Sequence, residues 1–147
     1  MTDEPLPAEV HLAGLLRHPT YALGKLHKGM HMQLGTPLRE HWVLTYLAER
    51  ADISQQEMAN VLEIDRSEVV RLIDTLEKAG LVTRTRDPED RRKYRLAITA
   101  AGERRRAETD AKIIAATDVL LARLTPEERE TMHRLSLKAL GYDADEI

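Results

Sequence analysis

The chain has 147 residues, 42% hydrophobic and 32% charged, with a formal net charge of −3, which suits one domain or a small bundle with an embedded subdomain. It contains no cysteine, which excludes disulfides, thiolate catalysis, Cys-ligated zinc and direct thiol redox sensing. With no phenylalanine, one tryptophan (Trp42) and four tyrosines, its core has to be aliphatic.

The opening MTDEPLPAEV lacks a basic stretch followed by an apolar one, so no secretory signal is read there. No apolar run approaches the roughly 18 residues of a membrane helix, and a cytoplasmic location is expected. Residues 8–17, AEVHLAGLLR, suit a short helix ending before Pro19. A longer helix over 20–34 follows from Tyr21, Leu23, Leu26, Met30 and Leu34 at spacings near three and four, and Gly35 ends it. Thr36 and Pro37 predict an N-cap and first helical residue, with Leu38, Trp42, Val43, Leu44 and Leu47 inward through about Arg50. Ser54 and Glu57 form a capping-box pattern opening a short helix with Met58, Val61 and Leu62 inward. Asp65 and Glu68 repeat the pattern before a helix that ends at Gly80.

The period then changes from near four to two. Residues 81–86 (LVTRTR) and 93–99 (KYRLAIT) read as strands, with Tyr94, Leu96 and Ile98 alternating against Lys93, Arg95 and Ala97. DPEDRR between them is a charged turn. Helix resumes over 100–123, and Thr125-Pro126-Glu127-Glu128 caps a last helix to about Leu140, followed by an acidic tail.

The charge distribution says more than its sum. Residues 84–106 hold nine Arg/Lys against four acids, a surplus of +5 that leaves −8 for the rest of the chain. Such a cluster on its own is as easily a solvated charged face as a binding surface.

Two short capped helices followed by a basic hairpin describe a winged helix-turn-helix. In the second helix Val69, Leu72, Ile73 and Leu76 share a narrow inward arc, and the other side carries Ser67, Val70, Arg71, Asp74 and Lys78. A recognition helix enters the major groove with its N-terminal part leading. Arg71 can reach guanine or phosphate, and Val70 a thymine methyl. Ser67 with the first-turn amides can hold a phosphate. Gln55 and Arg66 join the candidate contacts. An Arg-tipped hairpin can lie along the minor groove. Asp90 would hold the Arg92 guanidinium, with Arg91 and Lys93 on the backbone. The plainer alternative is a bundle helix with Arg71 solvated and an exposed Asp90–Arg92 pair of little energetic weight.

Residues 38–102, LREHWVLTYLAERADISQQEMANVLEIDRSEVVRLIDTLEKAGLVTRTRDPEDRRKYRLAITAAG, resemble the MarR family of bacterial transcriptional regulators. The most specific pieces are DRSEVVRLIDTLEKAGLV, the Asp90-Arg91-Arg92 triplet, and LAITAAG at 96–102. The resemblance covers about residues 20–140. It implies a mainly α fold with a small β-hairpin, a winged helix-turn-helix at 37–99, and dimerisation helices at 1–36 and 100–147. It also implies a homodimeric repressor on a pseudo-palindromic duplex, released by a small aromatic or phenolic ligand. The apolar stripe of Met132, Leu135 and Ala139, preceded by Leu120, Leu121 and Leu124, needs a partner surface, although packing against residues 20–50 would also bury it. Glu68 and Val70 depart from the small hydroxyl residues common in the family, so the operator sequence does not transfer.

Tyr21, His27, His31, His41, Trp42 and Tyr46 are candidates to line a ligand crevice, although Trp42 and Tyr46 also suit the core. The alternative regulator is metal-responsive, because His27 and His31 at i,i+4 can meet on one ion; no third ligand is fixed by the sequence, and no metal or cofactor is assigned. No nucleophile–base constellation, phosphate-cradling glycine loop or HExxH pair is present, so a catalyst is not expected.

Overall fold

The computed structural model describes residues 13–143 and 145. Its elements are α1 (Ala13–Leu16), α2 (Pro19–Leu34), α3 (Leu38–Glu49), β1 (Ile53–Ser54), α4 (Gln55–Leu62), α5 (Arg66–Lys78), β2 (Val82–Arg86), β3 (Tyr94–Ile98), α6 (Ala100–Leu120) and α7 (Pro126–Ala139). Residues 8–12 of the expected first helix lie outside the described residues. The chain divides into two compact units: residues 34–113, and the residues before 34 together with those after 113.

The unit of residues 34–113 is organised by one aliphatic core. Val43, Leu44 and Leu47 from α3, Met58 and Ala59 from α4, and Val69, Ile73 and Leu76 from α5 meet Ile53, Leu81, Val82 and Leu96. The predicted inward arc of α5 is therefore the buried one, with Leu72 at its margin. Gly80, at φ +73°, takes the left-handed position that ends α5. The amides of Gly80 and Leu81 return to the carbonyls of Glu77 and Leu76, so the chain turns sharply and delivers Leu81 to the core.

The sheet is three-stranded and antiparallel, in the order β1-β3-β2. Strands β2 and β3 are the predicted hairpin, in register Val82 with Ile98, Arg84 with Leu96 and Arg86 with Tyr94. Strand β1 was not expected, because two residues are too short to show alternation. Ile53 pairs with Leu96, and Ser54 ends the strand and caps α4.

Several local expectations are corrected. Thr36 does not cap α3: its hydroxyl donates backward to the Leu34 carbonyl (3.3 Å), and Pro37 in an extended conformation is the N-cap. A step of about 100° per residue takes Trp42 off the Val43–Leu47 stripe, and it is 38% exposed. Val61 likewise lies outside the arc of Met58, Ala59 and Leu62 and is 52% exposed. Helix α6 stops at Leu120 and gives way to turns through residue 123.

The start of α6 explains the LAITAAG segment. The Thr99 hydroxyl donates to the Gly80 carbonyl (2.7 Å) and accepts from the Gly102 amide (3.0 Å). This brings the helix so close to Leu81 that a Cβ on Gly102 would lie 2.2 Å from the Leu81 carbonyl oxygen.

In the second unit, α7 is opened by the predicted capping box of Thr125 and Glu128, with Pro126 in its first turn. Arg129 ties α7 to the end of α6 through the Leu121 carbonyl (3.1 Å) and Asp118 (2.7 Å). No residue of α7 is buried within this chain, and Leu135 is 51% exposed. Ile114, Val119 and Leu140 are also exposed.

Two glycine substitutions separate packing from helix propensity. Gly102→Ala is expected to destabilise by about 1–3 kcal/mol, because the methyl group drives into backbone. Gly24→Ala, in α2 with nothing within 4 Å of a new Cβ, should stabilise by about 0.5–1 kcal/mol. Urea unfolding followed by circular dichroism measures both; equal effects would contradict the packing geometry.

Candidate nucleic-acid interface

Helices α4 and α5 are joined by a turn in which Glu63 is left-handed at φ +52°. The α4 capping box closes in both directions: the Glu57 amide donates to Ser54 Oγ (3.2 Å) and the Ser54 amide to Glu57 Oε2 (2.7 Å). The Ser54 amide, and then the Ser54 hydroxyl, hold the Glu57 carboxyl below its ordinary range. The second expected box closes in one direction only. Asp65 caps α5, but Glu68 reaches across to Arg39 on α3 instead of folding back. The negative charge near the start of α5 is thereby matched by a guanidinium.

Ser67 is committed locally. Its hydroxyl and its amide both donate to Asp65 Oδ1, at 2.6 and 2.7 Å, and these bonds hold the Asp65 carboxyl below its usual range. The donors expected to receive a phosphate thus already serve a carboxylate. Arg66 and Arg71 are exposed and, among the described residues, make no side-chain hydrogen bond or ion pair; Val70 is half-buried.

Part of the basic cluster is paired with acids, and part forms a cationic tip. Arg84 bridges Asp74 and Glu77 of α5, each at 2.6 Å. Those two hydrogen-bonded carboxylates push its pKa up. Arg106 pairs with Glu103 (3.1 Å) and Asp110 (3.0 Å). Arg86 donates to the Arg91 carbonyl and, with Arg84, flanks the Tyr94 ring at 5.0 and 5.5 Å. Arg91, Arg92 and Lys93 remain exposed at the turn.

Asp87 organises that turn, and the sequence reading did not single it out. Its Oδ1 accepts from the amides of Glu89 (2.8 Å) and Asp90 (3.2 Å), and its Oδ2 from Arg95 Nε (3.0 Å). The Asp87 amide donates to the Lys93 carbonyl (3.0 Å), closing the loop. The Glu89 amide and then Arg95 hold the Asp87 carboxyl below 3.8. The signal available was Asp-Pro before a charged run, the pattern of a side-chain-capped turn. Asp90 plays a different part from the one expected. Its Oδ1 accepts the Arg92 amide at 3.1 Å, while the Arg92 guanidinium lies 3.7 Å away and its side chain is 95% exposed. Asp90 therefore fixes the backbone of the tip and leaves the guanidinium outward.

Between the wing and the start of α4 runs a polar groove of about 690 Å³. Gln55, Arg66, Arg92 and Lys93, four of the candidate contacts, line it together with Gln56 and Tyr94. The Gln55 side-chain amide nitrogen is buried there without a hydrogen-bond partner among the described residues. Arg95 also lines it, paired with Asp87, as do the acids Asp52 and Glu57, so the cations without a close carboxylate partner in the groove are Arg66, Arg92 and Lys93.

The candidate ligand residues fall in different units. Tyr21, His27 and His31 stand on α2. His41, Trp42 and Tyr46 of α3 line a cavity of about 400 Å³ with Thr45, Glu49, Leu62 and Ile113. His41 is buried, its Nε2 lies 3.0 Å from Asp110 Oδ1, and its Nδ1 has no partner among the described residues. Tyr46 packs against the core, as one expectation had it, while Trp42 does not.

The wing tip should respond to pH through Asp87. Its folded pKa is depressed, so its contribution is complete above about 3.8 and disappears as pH falls through the lower folded value. Hydrogen exchange at Glu89, Asp90 and Lys93 should accelerate below about pH 4 relative to the β2–β3 ladder. Asp87→Ala should produce the same local loss at neutral pH; unchanged exchange in that variant would show that the turn does not need the carboxylate.

Residues 34–93 match the model of the MarR family. A protein of Thauera aromatica assigned as a transcriptional regulatory protein for the hcr operon is 30% identical over 103 residues, 70% of this chain. The match spans only 62% of that relative's length. Among solved structures, the PcaV transcriptional regulator of Streptomyces coelicolor in complex with its natural ligand superposes with a TM-score of 0.74 at 23% identity, over 86% of this chain and 94% of that one. A MarR variant from E. coli complexed with operator DNA superposes at 0.68, also at 23% identity, over 88% and 96%. The winged helix-turn-helix region thus matches the MarR family model, and the chain is similar to transcriptional regulators with the same fold.

Proposed function

We propose that the protein is a homodimeric, sequence-specific DNA-binding repressor, released from a pseudo-palindromic operator by a small organic ligand. The observation that carries this reading is the groove in which Arg92 and Lys93 of the wing face Arg66 and Gln55 of the helical pair. The outer face of α5, with Val70 and Arg71, reads base edges in the major groove. Arg92 enters the adjacent minor groove, where the potential is most negative, and Arg91 and Lys93 meet phosphates. Arg66 and Gln55 bind the phosphate between the two, because the Ser67 donors are occupied by Asp65. That a MarR variant with this fold has been seen on operator DNA supports the assignment.

The unburied apolar residues of α7 support a second copy of the chain as the partner for the terminal helices. Two recognition helices then meet major grooves about 34 Å apart.

The cavity at His41 supports the release mechanism. Asp110 fixes the imidazole, and the buried Nδ1 calls for a donor such as a phenolic hydroxyl. Trp42 and Tyr46 supply aromatic surface there. A ligand that fits the cavity better when the wings are misaligned shifts the population off DNA.

Fluorescence anisotropy with DNA from upstream of the protein's own gene tests this reading. Arg92→Ala and Arg71→Ala should each weaken binding about ten-fold or more, and Arg92→Ala should lower the salt slope by about one. A phenolic acid such as 4-hydroxybenzoate should release the wild-type complex and spare that of His41→Ala. Retention of full affinity by an Arg71→Glu/Arg92→Glu variant, or a monomer on the operator, would refute the proposal.

A further inference from the structure

His27 and His31 stand one turn apart on α2, both exposed, with their Nε2 atoms 3.0 Å apart. Their rings are nearly perpendicular, at 86°, with centroids 4.5 Å apart. We propose that this pair is a two-imidazole chelate for a borderline divalent transition-metal ion, of the Cu²⁺, Ni²⁺ or Zn²⁺ class.

Imidazole nitrogens sit about 2.0–2.1 Å from such an ion. At ligand–metal–ligand angles between square and tetrahedral, two such nitrogens are therefore about 2.9–3.4 Å apart. The separation of 3.0 Å already lies in that interval. The i,i+4 spacing puts both rings on one face of α2, and their contact already holds the two Nε2 atoms at a separation that one ion can span.

Without metal, a contact of this length between neutral rings is an N–H···N hydrogen bond, so one ring carries its proton on Nε2 and the other on Nδ1. Metal binding moves the first ring's proton to Nδ1. Both Nε2 lone pairs then face the ion, two of its water ligands leave, and neutral rings release no net proton. Among the described residues no third His, Cys, Asp or Glu joins the pair. Water or an exogenous donor therefore fills the remaining positions, which fits a site of micromolar rather than structural affinity. Lys28, between the two histidines in sequence, is exposed, and its repulsion is screened by solvent and salt. The ions should bind in the order Cu²⁺ above Ni²⁺ and Zn²⁺.

The inference does not depend on DNA binding, and its test does not use DNA. Tag-free full-length protein, stripped with a chelator and dialysed, is titrated with Cu²⁺ and with Zn²⁺ by calorimetry. The Cu²⁺ complex is then read by electron paramagnetic resonance. The expected result is one ion per chain with nitrogen hyperfine structure from two imidazoles. Affinity should fall at least ten-fold in His27→Ala and in His31→Ala, with unchanged circular dichroism, and stay unchanged in His18→Ala. Wild-type affinity in both variants, equal loss in His18→Ala, or no saturation below about 100 µM would overturn the assignment.

Discussion

The contacts of one carboxylate decide what the wing presents. Asp87 uses one oxygen on the amides of Glu89 and Asp90 and the other on Arg95, so the turn is closed from inside. Charge-assisted bonds of this kind are stronger than neutral ones. Other cations of the basic window are spent on acids in the same way: Arg84 of β2 on Asp74 and Glu77, and Arg106 of α6 on Glu103 and Asp110. What remains outward at the turn is Arg91, Arg92 and Lys93, three adjacent cations at the tip; Arg104 and Arg105 of the same window are exposed on α6.

The tip would be of little use if it moved independently of the helices. Strand β1 prevents that. Ile53 pairs with Leu96 in the middle of β3, and the next residue, Ser54, caps α4. The wing is therefore hydrogen-bonded to the residue that starts the first helix of the pair. Arg84 adds a second tie from β2 to α5, and Leu96, fully buried, joins the core that α3, α4 and α5 share. The polar groove between wing and α4 thus has walls whose backbones are tied to one another.

How much of this was legible follows from the range of each interaction. The inward arc of α5, the capping boxes at Ser54 and Thr125, the Gly80 stop and the alternating hairpin are all local patterns, and the structure has them. Strand β1 was invisible because its identity depends on a partner more than forty residues away, not on its own two residues. Glu68 looked like a capping residue because Asp65 precedes it by three. Its actual partner, Arg39, comes from another helix, where no spacing rule applies. Trp42 and Val61 were placed inward on hydrophobicity alone, and the helical phase overrules that. Asp90 was read as a clamp on a side chain; a carboxylate two residues before an amide caps the backbone more readily. Of the candidate contacts, Gln55, Arg66, Arg92 and Lys93 converge on one groove, although they come from three separate elements.

The central claim is that the α5 face and the cationic tip touch one duplex simultaneously, twice over in a symmetric pair. Hydroxyl-radical footprinting of the operator complex, with methylation protection of guanine N7 alongside, tests it most directly. The account predicts two major-groove tracts one helical turn apart, each flanked outside by a minor-groove tract, and Arg92→Ala should lose the outer tracts alone. A single tract, or outer protection that persists without the Arg92 guanidinium, would contradict it.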